Sequence, residues 1–191
     1  MEDKIKKSIL IGTLLGDGYI PKKNRKNCSI QWEHAIKDKD YALWKADELG
    51  LKYYIYYRNR LDNRTKKTYS SIIINTASNN ILNYYRKLFY PQGKKVINKT
   101  ILSILTPKAI AVWYCDDGSL YISKRTGYHL YLSVDSYSKN AKNLIRRYFE
   151  NKYKLNFKHT QNRLRITSKS QIKLFMRHFG KYIKLERKKY V

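Results

Sequence analysis

The sequence of 191 residues predicts an α+β fold made of a pseudo-twofold tandem repeat, with each copy running α-β-β-α-β-β-α and carrying one antiparallel sheet. Three observations indicate this fold. An apolar segment that ends in Asp-Gly occurs twice, 100 residues apart. Alternating apolar and polar residues follow each copy, which is typical of a half-buried hairpin. Helical periodicity then returns at matching places in both halves, as expected of an internal repeat.

The repeated segment is expected to be a helix in both halves. Residues 10–18 read Leu-Ile-Gly-Thr-Leu-Leu-Gly-Asp-Gly, and residues 110–118 read Ile-Ala-Val-Trp-Tyr-Cys-Asp-Asp-Gly. In the first copy two glycines lie four residues apart and share a helical face, and Ala111 and Cys115 do so in the second. Small residues at this spacing let two helices approach closely. Gly18 and Gly118 are expected to stop the helices in a left-handed conformation.

Each motif is followed by two predicted hairpins. The first hairpins pair residues 19–20 with 28–34 and residues 120–123 with 128–134. The second hairpins pair 53–60 with 69–75 and 156–159 with 163–167. Cys28, Ile30 and Trp32 alternate with polar neighbours, so these three are expected to face the core and the residues between them the outside.

Helices are predicted after each hairpin, over residues 38–49, 78–89, 138–151 and 170–183, and Gly50 is the expected stop of the first. The residue pairs Thr76/Thr167, Ile81/Ile172 and Arg86/Arg177 share an offset of 91. The domain organisation predicted from the repeat is an N-terminal half over 1–93, a basic linker over 94–106 and a C-terminal half over 107–191.

The composition indicates a polyanionic partner. The chain has 41 Lys and Arg against 14 Asp and Glu, a formal net charge of +27, spread along its length. A phosphate backbone gains from such a surface through charge pairing and counterion release. No segment reaches the roughly 20 apolar residues of a membrane helix, so no membrane partner is expected. Two isolated cysteines indicate a reducing compartment rather than a disulfide or zinc scaffold. The sequence leaves the cellular location open, with organelle, archaeon and phage all possible sources.

Residues 12–18 and the segment from Thr106-Pro107 to Gly118 resemble the two motifs of single-chain LAGLIDADG homing endonucleases. The similarity is greatest to the yeast mitochondrial intron-encoded branch, which has Leu-Gly-Asp first and Thr-Pro, Trp and Asp-Asp-Gly second. It covers essentially the whole chain. The resemblance implies the LAGLIDADG homing endonuclease fold, with side-by-side motif helices and two antiparallel DNA-binding sheets.

Asp17 and Asp117 are the predicted catalytic, metal-binding pair. If the motif helices lie side by side, their carboxylates converge and repel each other unless cations lie between them. Oxygen ligands of this kind favour Mg²⁺, for which Mn²⁺ is expected to substitute. A negative charge at a helix C-terminus opposes the helix dipole, so two of them in a chain short of acids require a reason. The resemblance also implies a metal contact from the backbone carbonyl of Gly16 or Asp116.

The family further implies one supporting lysine near the end of each half. Lys95 and Lys189 have the expected placement and are the candidates for polarising the attacking water or the scissile phosphate.

The predicted DNA-binding residues lie on the outward register of the strands and in the turns between them. In the first half they are Lys22, Lys23, Arg25, Lys26, Ser29, Gln31, Glu33, Arg58, Arg60, Arg64, Lys66, Lys67 and Tyr69. In the second half they are Ser123, Lys124, Arg125, His129, Tyr131, Ser133, Arg163 and Arg165. The four histidines lack metal-ligand spacing and are expected on the surface or facing DNA. Most tyrosines lie at core spacing and are expected to pack inside.

These observations predict a site-specific endonuclease that cuts both strands of a long, asymmetric DNA site in intron or intein mobility. The two halves differ in sequence, so a monomer should suffice. One alternative is an RNA maturase of the same fold that assists splicing of a group I intron and binds intron RNA. A non-catalytic, basic nucleic-acid-binding protein is another, although it leaves the repeated Asp-Gly motif unexplained.

Overall fold

The computed structural model describes residues 2–22, 26–125 and 127–184 and has the predicted α+β architecture. Each half places one antiparallel sheet against a layer of helices. The helices are α1 (Glu2–Leu15), α2 (Lys39–Leu49), α3 (Ile81–Phe89), α4 (Lys99–Ser103), α5 (Pro107–Asp117), α6 (Lys139–Tyr153) and α7 (Lys169–Phe179). The strands are β1 (Gln31–Ala35), β2 (Tyr53–Leu61), β3 (Thr68–Thr76), β4 (Gly118–Ser123), β5 (Gly127–Ser133), β6 (Lys158–His159) and β7 (Arg163–Ile166).

The first sheet has the order β1-β3-β2 and the second the order β4-β5-β7-β6, with every pairing antiparallel. Three of the four predicted hairpin pairings therefore form, and Gly50 ends α2 in the left-handed conformation as expected. The predicted linker is not wholly irregular, because α4 lies within it.

The first predicted hairpin is wrong in its first strand. Tyr19 and Gln31 exchange backbone hydrogen bonds of 2.8 and 2.9 Å, but the pairing ends there as an isolated bridge. In an antiparallel ladder the next hydrogen-bonded pair would need an N–H from residue 21. Pro21 has none, so the ladder cannot continue.

The two motif helices pack side by side and join the halves. Thr106 caps α5 by accepting a hydrogen bond from the Ala109 N–H, and Pro107 occupies the first helical turn, where its missing N–H costs nothing. The Thr106 hydroxyl is also 2.8 Å from the Ser8 hydroxyl of α1. The Thr-Pro pair of the motif therefore starts α5 and ties it to the neighbouring helix.

Small residues set the separation of α1 and α5, but the face of α5 differs from the one expected. A Cβ atom added at Gly12 would lie 2.5 Å from the Ala109 carbonyl oxygen and 2.6 Å from the Val112 Cβ. One added at Gly16 would overlap Asp116. Gly12 of α1 and Gly16 just beyond its end thus meet Ala109, Val112 and Asp116, rather than the predicted face of Ala111 and Cys115.

Substitution of Gly12 by Ala should destabilise the protein. The added methyl forces the helices apart, and overpacking of this kind costs about 1–3 kcal/mol. Equilibrium urea unfolding measures the change. The matched control is Gly180→Ala, where the new Cβ would meet Met176 at an ordinary 3.7 Å. Equal stability of the Gly12 and Gly180 variants would contradict the close packing of α1 on α5.

Gly18 and Gly118 are required for close approach and not for a left-handed turn, which corrects the expectation. Gly118 is extended, with φ −94° and ψ 159°, and neither residue is among the glycines with positive φ. A Cβ at Gly18 would strike the Thr13 backbone, and one at Gly118 would strike the Tyr114 ring. After each motif helix, the backbone at the glycine therefore packs directly against the last turn of that helix.

An apolar core runs through both halves without a break. Its largest fully buried side chains include Trp32 behind the first sheet and Trp113 in α5, with Phe149 and Phe175 behind the second. Within the described ranges, none of the helices combines the length and apolarity needed to span a bilayer. The core fixes the adjacent C-terminal ends of α1 and α5, on which the candidate site is built.

Candidate active site and sheet faces

Three carboxylates meet where α1 and α5 end. Asp17 lies just beyond α1 with a side chain that is 37% exposed, whereas Asp116 and Asp117 form the last turn of α5. The Asp17 backbone N–H donates a hydrogen bond of 3.2 Å to Asp116 Oδ2. The predicted convergence of the two motif ends is therefore present in the fold.

Asp117 carries the clearest electrostatic perturbation. Its pKa is raised to about 7, chiefly because the side chain is largely buried, and further because the charges of Asp17 and Asp116 lie nearby. Trp113, one turn earlier on the same helix, donates a hydrogen bond of 3.1 Å to Asp117 Oδ2. That hydrogen bond and the Lys95 charge act in the opposite direction. Burial and the neighbouring carboxylates thus both disfavour the ionised form of Asp117, and a cation bound beside it would favour that form.

Lys95 reaches the site from the segment after α3. Its Nζ donates a hydrogen bond of 2.8 Å to the Gly16 carbonyl oxygen. Burial lowers the pKa of Lys95, and the charges of Asp117, Asp17 and Asp116 oppose that shift. The ammonium is thus a partly desolvated positive charge beside the paired carboxylates.

The Asp116 carboxylate is fully buried and already occupied by donors. Lys45 Nζ lies 3.0 Å from Oδ1 and 3.1 Å from Oδ2, and both side chains are 0% exposed. The Tyr41 hydroxyl donates to Oδ1 at 2.9 Å. A cation bound by this carboxylate would compete directly with the Lys45 ammonium.

His34 was expected on the surface or facing DNA, but it is 5% exposed and lies inside the site. Its Nδ1 is 3.4 Å from Asp17 Oδ2, and its Nε2 is 3.8 Å from Asp116 Oδ1. It follows Trp32 by two residues on the inward register of β1, which is why it is buried. The alternation of β1 could have indicated this orientation.

Two sets of ligands could therefore hold a divalent cation. Asp17, His34 and Asp116 bring potential ligand atoms within 4.8 Å of one another. The Asp116 oxygens in that set are committed to Lys45 and Tyr41, as described above. Asp117 has no such counter-charge in contact among the described residues, and its pKa is raised chiefly by burial and further by the charges of Asp17 and Asp116. The donor set of Asp17 and Asp117 therefore suits a hard cation better.

Three predicted residues cannot be placed. Lys23 and Arg25 in the first turn and Lys189 near the C-terminus lie outside the described residues.

The solvent-facing side of the first sheet carries the expected readers, with one correction. Gln31 and Glu33 of β1 and Arg58 and Arg60 of β2 share the face opposite the buried Ile72 and Ile74. Lys22, Lys26, Arg64, Lys66, Lys67 and Tyr69 are all exposed. Ser29 is fully buried, so its predicted outward orientation is wrong. It precedes β1, and regular alternation does not extend to it.

On the same face, Glu33 links two strands. Its carboxylate is 2.9 Å from Arg58 Nη1 and also accepts a hydrogen bond from the Ser71 hydroxyl. Arg58 is thereby held in place while its side chain stays 48% exposed. The contact with Glu33 already restricts the rotamers of Arg58. Little further side-chain entropy would therefore be lost when its guanidinium makes two parallel hydrogen bonds to a guanine edge.

The second sheet follows the predicted register. Leu130 and Leu132 are buried, and the residues between and beside them face outward. The outward set consists of Ser123, His129, Tyr131, Ser133, Arg163 and Arg165, with Lys124 and Arg125 exposed in the β4–β5 turn. His129 stacks on Tyr131 with an interplanar angle of 9°, and the Arg163 guanidinium lies 5.7 Å from the Tyr131 ring centre.

Several outward residues were missed. Tyr54 and Tyr56 of β2 and Tyr121 of β4 are about half exposed on the same faces as the predicted readers, although most tyrosines were expected in the core. These three side chains lie on the sheet faces opposite the buried core residues, so the helical layer does not cover them. Residues 53–57 read Tyr-Tyr-Ile-Tyr-Tyr and lack an alternation of polar and apolar residues, so the sequence alone did not indicate which of the β2 tyrosines face outward.

The chain matches the LAGLIDADG DNA endonuclease family over residues 7–174. It therefore belongs to this family. The finer similarity to the yeast mitochondrial branch stays a prediction. With membership established, the two Asp-Gly motifs are the LAGLIDADG motifs of this chain, and α1 and α5 are its motif helices.

Solved structures of LAGLIDADG endonucleases share the fold. The homing endonuclease I-WcaI, bound to its DNA recognition sequence, matches with a TM-score of 0.81 and 23% identity over 98% of this chain and 85% of its own. The meganuclease I-CpaMI, bound to uncleaved DNA, matches with a TM-score of 0.58 and 12% identity over 96% of this chain and 88% of its own. A variant of I-DmoI with its nicked target DNA and Mn matches with a TM-score of 0.53 and 15% identity, over 94% of this chain and 97% of its own.

Curated relatives by sequence are proteins named RecA. The match to RecA of Mycolicibacterium flavescens has 27% identity over 119 residues, which is 61% of this chain and 26% of that protein. RecA of Mycobacterium leprae matches with 24% identity over 61% of this chain and 16% of its own length. The chain thus spans about a quarter or less of these relatives.

Proposed function

We propose that this LAGLIDADG family member cleaves both strands of a long, asymmetric DNA site in a reaction that requires Mg²⁺, in the service of intron or intein mobility. One observation carries the proposal. The two motif helices end side by side and bring Asp17, Asp117 and Lys95 together, with β1 of the first sheet contacting this point through His34 and β4 of the second sheet beginning directly after Asp117. Family membership supports DNA as the substrate.

In this proposal, Asp17 and Asp117 supply carboxylate oxygens to the cation, and the backbone carbonyl of Gly16 or Asp116 adds a further oxygen. When bound, Mg²⁺ activates water and stabilises the negative charge that develops at the phosphorus. Trp113 orients the Asp117 carboxylate through Oδ2. Asp117 must release its proton before it binds the cation, and the cation's charge favours this release.

Lys95 adds a fixed positive charge beside the carboxylates at which the reaction is proposed to occur. Its Nζ is anchored on the Gly16 carbonyl and lies near all three acids. A charge placed in advance where negative charge develops stabilises a transition state without reorganisation at the moment of reaction. Lys189 is proposed to do the same in the second half.

The two sheets are proposed to enter the major groove on either side of the cleavage point. A two-stranded ribbon fits that groove, and Arg and Gln can hydrogen-bond to base edges there. Most lysines contact phosphates and contribute affinity without sequence information. The outward residues of the two sheets differ, so one chain can recognise a non-palindromic site as a monomer.

Cleavage of a randomised plasmid library tests the proposal. The purified chain is incubated with the library in Mg²⁺, in Mn²⁺ and in EDTA, and the cut ends are sequenced. We expect one long, asymmetric consensus with double-strand breaks in either metal and none in EDTA. Sequence-independent binding without cleavage in every condition would reject the proposal in favour of a non-catalytic binding protein.

Arg58→Ala should change sequence preference and not only affinity. Loss of a bidentate contact to a base edge costs about 1–3 kcal/mol of discrimination, confined to a few adjacent positions. The control is Lys87→Ala in the last turn of α3, which is exposed and lies outside both sheets. Binding is measured across a site library at several salt concentrations. If Arg58→Ala weakens all sequences equally, Arg58 contacts only phosphates.

A further inference from the structure

The two LAGLIDADG motifs differ at the position before the metal-binding aspartate. The first has Gly16 there and the second has Asp116, and these two residues lie against each other. A Cβ at Gly16 would overlap the Asp116 side chain, so the acid occupies space that only the glycine leaves open. The asymmetry is therefore built into the contact between the halves.

We propose that Asp116 is a positioning residue that holds the Asp17 backbone in place, and that Lys45 supplies the buried counter-charge that lets a carboxylate do so. The inference rests on the proposed function only where it concerns cleavage. Asp116 acts through Asp17 and not as a side-chain ligand of the cation.

The Asp116 carboxylate spans the two halves. Oδ2 accepts the Asp17 N–H at 3.2 Å, so a residue of the second half fixes the peptide that carries the first half's catalytic carboxylate. Tyr41 and Lys45 both approach from α2 of the first half, and they lie four residues apart on one helical face. The carboxylate therefore links the ends of α1 and α5 to α2.

A contribution to the stability of the folded protein is a poor explanation for the buried Lys45–Asp116 pair. Taking two charges out of water is costly, and replacing a buried ion pair by apolar residues of similar volume is often neutral or stabilising. Lys45 is also surrounded by apolar groups, with its Nζ 5.6 Å from the Trp32 ring centre and 4.9 Å from that of Tyr41. What an apolar replacement would remove is the acceptor for the Asp17 N–H. The ion pair therefore differs from an apolar contact in one respect, which is that it positions Asp17.

Two double variants separate the acceptor from the charge. Lys45→Met/Asp116→Asn and Lys45→Met/Asp116→Leu are both electrically neutral in the buried site, and Asn and Leu branch at the same carbon as Asp. The Asn variant retains an oxygen that can accept from the Asp17 N–H, whereas the Leu variant has none. Lys45→Met/Asp116→Ala also lacks the acceptor, and it serves if leucine does not pack.

We expect the Leu double variant to unfold at the same temperature as the Asn variant or higher, whereas the Ala double variant leaves a cavity and need only stay folded at the assay temperature. We expect the acceptor-free variant to cleave at least tenfold more slowly, because a small displacement of a reacting group can cost up to about 10²-fold. Amide hydrogen exchange followed by NMR provides a readout without cleavage, and the Asp17 N–H should exchange faster only where the acceptor is missing.

Equal cleavage and equal Asp17 exchange in the Asn variant and in a folded acceptor-free variant would overturn the inference and leave the pair a structural contact. If even the unmodified chain cuts no DNA, the proposed function fails. The exchange comparison still decides whether Asp116 holds the Asp17 backbone, so the two failures are distinguishable.

Discussion

Substitution of Asp17 or Asp117 by Asn should each reduce double-strand cleavage by at least about 10²-fold, a loss comparable to that of one preorganised electrostatic contact in other enzymes. Asn keeps the size of the side chain but removes the charge that binds a divalent cation. DNA binding should persist, because affinity arises mainly from phosphate contacts on the sheets. Time courses on supercoiled plasmid separate nicked from linear product, and gel shifts in Ca²⁺ measure binding.

The matched control is Asp40→Asn in the exposed first turn of α2, which should cleave like the unmodified chain. Uniform loss of binding in the two motif variants would indicate misfolding and not a catalytic defect. Full double-strand cleavage by both motif variants would show that Asp17 and Asp117 are not the catalytic, metal-binding acids.

The same Asp117→Asn change should stabilise the metal-free protein above neutral pH. The pKa of Asp117 is about 7 in the folded state against an ordinary 3.8. Between these values the folded protein binds a proton that the unfolded chain has lost, so stability falls as pH rises from about 4 to 7 and stays reduced above that. Asn never ionises and avoids this loss. The gain at pH 8 is expected on the order of 1–3 kcal/mol, allowing for solvent relaxation around a side chain that is not fully buried.

Urea unfolding at pH 5 and pH 8 in EDTA measures the effect. The stability difference between the Asp117→Asn variant and the unmodified chain should be larger at pH 8, and Asp40→Asn should show no such trend. Added Mg²⁺ should stabilise the unmodified chain more than the variant, because a ligand that binds only the folded state stabilises it. A variant that is less stable than the unmodified chain at pH 8 would contradict the unfavourable ionisation of the buried Asp117 carboxyl.

The stability cost at Asp117 and the cation site have the same physical origin. Asp17, Asp116 and Asp117 lie together, and within the described part of the chain only Asp116 has a fully buried ammonium in contact. We propose that the burial of Asp117 and the remaining negative charge together disfavour the metal-free fold at high pH and favour binding of a divalent ion. The Asp116 charge is thus paired with Lys45, whereas the described residues place no ammonium in contact with Asp117, and this difference accounts for the different roles proposed for neighbouring residues 116 and 117.

The repeat, the two motif helices and three of the hairpin pairings follow from the sequence alone. Period-two alternation identified the inward residues of β5, such as Leu130 and Leu132, because a regular strand alternates its side chains without reference to the rest of the fold. The Asp-Gly repeat likewise located Asp17 and Asp117, since two identical local signals at a fixed offset need no tertiary information.

The residues that surround these acids come from distant parts of the chain and are known only from the way the helices pack. Lys45 lies 71 residues from Asp116 in the chain, and nothing local marks a lysine on a helix as buried. The burial of Ser29 depends on where regular alternation begins, and the exposure of Tyr56 depends on which face of the first sheet the helices cover. The counter-charge of Asp116 arises only when α2 packs against the ends of α1 and α5, because a buried ion pair is defined by the elements that exclude water from it.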